Sequence, residues 1–103
     1  MTLREKQSEF VVHVALLIQY AQVLGYQLTF GNTTGKTNWP PSLHPERLAI
    51  DLNLFIDGVY QKSSEAHEPL GKFWKALHPD NAHGGDFRPR DGNHYSRGHG
   101  GRK

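Results

Sequence analysis

The sequence predicts an α+β domain: a small, mainly antiparallel sheet with two helices packed on one of its faces. Three stretches carry that expectation. Between Ser8 and Leu24, Phe10, Val11, Val14, Leu17, Ile18, Ala21 and Leu24 recur at helical spacing. From about Leu48 to Phe55 the chain alternates, with Leu48, Ile50, Leu52 and Leu54 on one side and Ala49, Asp51, Asn53 and Phe55 on the other. Leu70, Phe73, Trp74 and Leu77 then form a second helical stripe, opened by Pro69 and stopped by Pro79.

The chain of 103 residues is long enough for one domain with a single core, near the lower limit for a fold without disulfides. It is lean, with 36% hydrophobic residues and a mean hydropathy of -0.66. There is no cysteine, so disulfides and thiolate metal sites are excluded and His, Asp and Glu remain as strong ligands. Seven histidines are many for this length. The formal charge is +2 and the pI about 9.0, with Arg88, Arg90, Arg97, Arg102 and Lys103 gathered late. Such an end attracts polyanions or is simply a solvated tail. Met1 to Gln7 is charged, so no secretory signal is expected, and no apolar run is long enough to span a bilayer. Residues 1–97 are expected to form the domain and 98–103 a disordered basic tail.

Taken in order, Gly25 is placed to end the first helix, with His13 off its stripe and facing water. Residues 26–30 alternate as a strand. A turn-rich stretch follows from Gly31 to Pro41. Its Gly35-Lys36-Thr37 triplet is not a phosphate loop, because Phe30 stands where that loop needs its first glycine. After the central strand, Asp57-Gly58 supplies a tight turn and Val59-Tyr60 returns as a short partner. Lys62 to Glu68 reads as loop or helix entry. From Asp80 onward Gly, Asn, Arg and Asp dominate, interrupted by Phe87 and by a short strand at His94-Tyr95.

Two places concentrate chemistry-bearing side chains. Asp51 sits mid-strand on the face away from the aliphatic row, and His44 precedes the strand between Pro41 and Pro45. Their odd spacing lets them converge only if His44 lies on a loop that curls back. An imidazole and a carboxylate so placed are typical zinc ligands. Asp91 and His94 are three apart, and if His94 opens a strand on the same face, Asp91 in the preceding turn reaches back toward it. Two histidines, an aspartate and a spare acid are what a zinc hydrolase needs.

Ser42-x-His44, followed by Ala49 and Asp51 and, some forty residues later, by Gly84-Gly85-Asp86-Phe87 and Asp91-x-x-His94, resembles the zinc D-alanyl-D-alanine carboxypeptidase superfamily. The phage L-alanyl-D-glutamate peptidases, used as endolysins, are its most similar branch. Arg47 stands where the first motif usually has glycine. The resemblance implies a fold of the Hedgehog and D,D-peptidase type, with zinc held by His44, Asp51 and His94 and with Asp91 as general base. It further implies that Ser42 lies near the bound peptide, and that the substrate is the peptide stem of bacterial peptidoglycan. Such enzymes usually carry an arginine before the Ser-x-His motif, yet no arginine stands between Arg4 and Arg47. Lys36 or Arg47 is the available replacement on the substrate, a lysine giving a point charge in place of a bidentate fork.

The expectation is therefore a monomeric zinc peptidase without a nucleic-acid partner or membrane span, made in the cytoplasm and acting on the wall after release, as a phage or prophage lysis protein does. The alternatives are a weakened or inactive zinc-binding domain, or a basic polymer-binding module. Trp39, Phe87 and Tyr95 are candidates to line a substrate groove, and Trp74 belongs to the core. Asp86 either orients a ligand imidazole or is a turn residue. His67, His78, His83 and His99 have no partner at convincing spacing and are expected at the surface.

Overall fold

In the computed structural model residues 1–31 and 46–103 are described. Lys36, Trp39, Ser42 and His44 lie outside them. The first helix, α1, spans Leu3–Val23 and begins earlier than its apolar stripe. Its start is set by a capping box: the Thr2 hydroxyl accepts from the Glu5 N–H at 3.1 Å, and the Glu5 carboxylate accepts from the Thr2 N–H at 2.9 Å. At the other end Gly25 adopts φ 79, which turns the chain into the sheet. Phe10, Leu17 and Ala21 are buried, but Val11 is 65% exposed. It stands about 100° round the helix from Phe10, beyond the edge of the stripe.

The strands are β1 (Gln27–Phe30), β2 (Ala49–Ile56), β3 (Val59–Tyr60), β4 (Asn81–His83) and β5 (His94–Arg97). They form one sheet in the order β1-β2-β5-β4, with β3 also on β2, and every pairing is antiparallel. The two-residue turn between β2 and β3 has both Asp57 (φ 52) and Gly58 (φ 78) in the left-handed region, as a hairpin turn of matching twist requires. The second helix, α2, spans Glu68–Leu77, with Pro69 in its first turn.

The aliphatic row of β2 behaves as its alternation demands: Leu48, Leu52 and Leu54 are fully buried and Ile50 nearly so. They pack with Leu17 and Ala21 of α1 and Leu70 and Trp74 of α2. Phe10 meets Trp74 edge-on at 5.5 Å, Tyr20 stacks on Phe73 at 4.3 Å, and the Trp74 indole N–H donates to the Ser96 carbonyl at 3.0 Å.

Four expectations need correction. Tyr95 does not line a groove: it pairs with Ile50 on the helix side and is fully buried. His67 and His83 are not surface residues, being 2% and 3% exposed, since β4 brings His83 under α2. His13 is half-buried against Trp74, not fully in water. Residues 98–103, expected as a disordered tail, make a turn with a bridge between His99 and Arg102. Arg102 reaches the Glu46 carboxylate at 2.7 Å, and Lys6 donates to His99 at 3.1 Å. No helix among the described residues is long and apolar enough to cross a membrane.

Candidate metal centre

On β2 and β5, Asp51 and His94 are direct cross-strand partners. The Leu52 N–H donates to the Asn93 carbonyl at 2.9 Å and the Arg97 N–H to the Leu48 carbonyl at 2.8 Å. Hydrogen-bonded pairs alternate along an antiparallel ladder, so Asp51 and His94 form a non-hydrogen-bonded pair, the kind whose side chains approach most closely. Their side chains meet on the face opposite Ile50 and Tyr95, with the His94 Nδ1 3.7 Å from the Asp51 Oδ1.

Asp91 joins them from the turn that feeds β5. That turn is pinned at each residue. The Asp91 N–H donates to the Gly84 carbonyl (2.8 Å), the Gly92 N–H to the Ser64 hydroxyl (2.9 Å) and the His94 N–H to the Asp91 carbonyl (3.0 Å), while the Asn93 carbonyl accepts from Leu52. The result is a three-residue group in which one ligand atom each from Asp51, Asp91 and His94 lies within 4.8 Å of the others. His94 is buried, Asp51 half-buried and Asp91 exposed. Such a group could hold a metal ion, with Asp91 on the solvent side.

No protein-family model, curated protein or solved structure matches this chain. The chemistry of the centre therefore has to be read from its own residues.

Of the residues expected at the site, Asp51, Asp91 and His94 come together. His44, Ser42, Lys36 and Trp39 lie outside the described residues. Arg47 is exposed in the turn before β2, four residues from Asp51. It adopts φ 57, a conformation glycine takes without strain. Phe87 packs beside the centre, its ring 5.2 Å from that of His94. Asp86 turns away: its carboxylate accepts from Lys75 at 2.7 Å, and that bond holds its pKa below the usual range.

Several supporting residues have no motif to announce them. Gly31 lies beside Asp51, donating its N–H to the Asp51 carbonyl at 2.8 Å, and a Cβ there would come within 3.0 Å of the Asp51 Cβ. Gly84 lets the Asp91 carbonyl approach where a Cβ would overlap it. Beneath the turn, on the helix side of the sheet, the buried His83 ring lies 2.6 Å from the Gly92 carbonyl through Nε2 and stacks on Tyr95 at 4.9 Å. Since a carbonyl only accepts, Nε2 carries the proton. Gly71 and Gly85 leave the space this ring fills. His67 completes the layer through a 2.7 Å bond between its Nδ1 and the Tyr95 hydroxyl. Burial and, secondarily, the charge of His83 push the His67 pKa down to about 4.

Proposed function

We propose that the protein is a zinc-dependent peptidase acting on the stem peptide of bacterial peptidoglycan, of the kind its motifs resemble. The observation that supports this reading most is that Asp51 and, forty or more residues later, Asp91 and His94 present their ligand atoms within 4.8 Å of one another. Asp51 and His94, with His44, would hold the metal. An all-nitrogen-and-oxygen donor set of this type suits zinc. Zinc, when bound, supplies a Lewis acid that makes water acidic near neutral pH and polarises the scissile carbonyl.

The exposed Asp91 then has the general-base role: its carboxylate takes a proton from the attacking water and returns it to the departing amine. The cross-strand pair keeps the donors oriented, and the pinned turn keeps Asp91 in place during the transfer. A lysis protein made in the cytoplasm and reaching the wall on release is the setting proposed for it.

Two measurements test this together. Chelated protein is titrated with zinc, and purified peptidoglycan is digested with and without chelator. Zinc-dependent release of new amino termini is the expected result, with Asp91→Ala at least a hundredfold slower but still folded. Release that persists in chelator, or none in zinc-loaded protein, would overturn the proposal.

A further inference from the structure

The two edges of the sheet meet solvent differently. Beside β4 runs a groove of about 520 Å³ lined by Lys6, Lys75, Asp80, Asp86 and Arg102, among others, so charge guards that edge against further strands. β1, at the other edge, has no such guard. Neither a charged Asp, Glu, Lys or Arg nor a proline stands between Glu9 and Gly31. The Gly31 N–H donates to the Asp51 carbonyl, and bonded residues alternate along the ladder, so Gln27, Thr29 and Gly31 turn their backbone groups toward β2. Leu28 and Phe30 turn theirs outward, where no described residue pairs with them.

The apolar surface beside this edge is uncovered as well. On the helix side of β1 lies a groove of about 640 Å³, with Ile18 and Gln22 of α1 on one wall and Tyr26 and Leu28 on the other. Val11, about two turns before Ile18, continues the α1 wall, and Phe30 continues the β1 wall. Phe30 pairs with the buried Leu52 and shares its face, yet it is 66% exposed. Val12, Leu16 and Val23 are exposed farther round α1. A helix that is apolar nearly all round belongs between two layers, and the described residues supply one.

We propose that a second copy of the chain covers this edge, through an antiparallel β1–β1 pairing about a two-fold axis at Thr29. An axis running through the sheet keeps the helix layers of both copies on one side, so only residues of like face can be opposed. With Thr29 opposite its counterpart, Leu28 of each copy meets Phe30 of the other, and their outward N–H and C=O groups satisfy one another. Each Phe30 ring then lies against the Leu28 wall of the second copy's groove. A charged partner finds nothing to pair with here, whereas two chains of the same net charge meet without opposing charges. Strand and helix flank together approach the roughly 800 Å² per partner of a stable interface, which neither reaches alone. The pairing closes on itself, and the charged β4 edge stops it at two chains in place of the expected monomer. It does not depend on the peptidase reading, because Asp51 and His94 meet on the opposite face of the sheet.

Sedimentation equilibrium of the full chain, from about 1 to about 500 µM, tests this. A monomer–dimer equilibrium with a Kd on the order of 10 µM is expected, and hydrogen exchange at the Leu28 and Phe30 amides should slow as the dimer fills. Phe30→Lys puts a charge into the contact from an exposed position and should weaken association about tenfold. Val59→Lys, equally exposed but on β3 across β2, should leave it unchanged. Both variants should keep the parent's circular dichroism and melting temperature. A chain still monomeric at 500 µM, a dimer that survives Phe30→Lys, or amide protection that does not follow concentration would each overturn the proposal. So would a monomer that binds phosphatidylcholine vesicles through the same residues, which would give this face to a membrane surface.

Discussion

A methyl group at Gly84 would overlap the Asp91 carbonyl oxygen and press on the His94 Cβ. Gly84→Ala must therefore move the turn that carries Asp91, and a loss of about 3 kcal/mol in denaturant unfolding is expected, with weaker zinc binding. His83→Ala removes a buried ring and leaves the Gly92 carbonyl without its donor, so a loss of roughly 2–4 kcal/mol should appear in the same measurement. Arg47 offers the opposite sign. Its left-handed backbone is strained for any residue with a Cβ, and Arg47→Gly should stabilise the chain by roughly 0.5 kcal/mol, the relief exceeding glycine's added unfolded-state entropy.

The elements were legible in proportion to how local their causes are. The β2 row, the Asp57-Gly58 turn and α2 between its two prolines are written in adjacent residues, and the structure has them within a residue or two. The start of α1 was not visible in the apolar stripe, because it is set by the Thr2–Glu5 box. Thr2→Ala should cost about 1 kcal/mol, read as fraying of the first turn by amide exchange. β4 was hidden for a different reason. Asn81, Ala82 and His83 have neither alternation of hydrophobicity nor β propensity, and they become a strand only because β5 offers a ladder. The candidate centre shows the same division. Asp51, Asp91 and His94 were legible from spacing, whereas Gly31, Ser64 and His83 support them through contacts between distant segments.

Across the whole molecule, the buried His67 and His83 make stability depend on acidity. His67 is neutral in the folded state, with a pKa of about 4 against 6.5 when free. The unfolded chain binds this proton first as pH falls, so the stabilisation is complete above about pH 6.5 and is lost on descending toward pH 4. The shift corresponds to about 3 kcal/mol, and burial lowers His83 in the same direction. Urea midpoints measured from pH 7.5 to 4 should fall steadily, and His67→Phe should flatten that slope even if it changes the midpoint at pH 7.5.

The pairing of Asp51 with His94 joins β2 to β5 across nearly half the chain, the most distant junction within the sheet's centre. A divalent ion seated on both strands would act as a rivet through that seam. Zinc should then raise the melting temperature in proportion to the logarithm of its concentration once the ion exceeds its Kd, and Asp51→Asn should abolish the rise. For a cysteine-free protein, the ion would supply the cross-link that a disulfide gives other small folds.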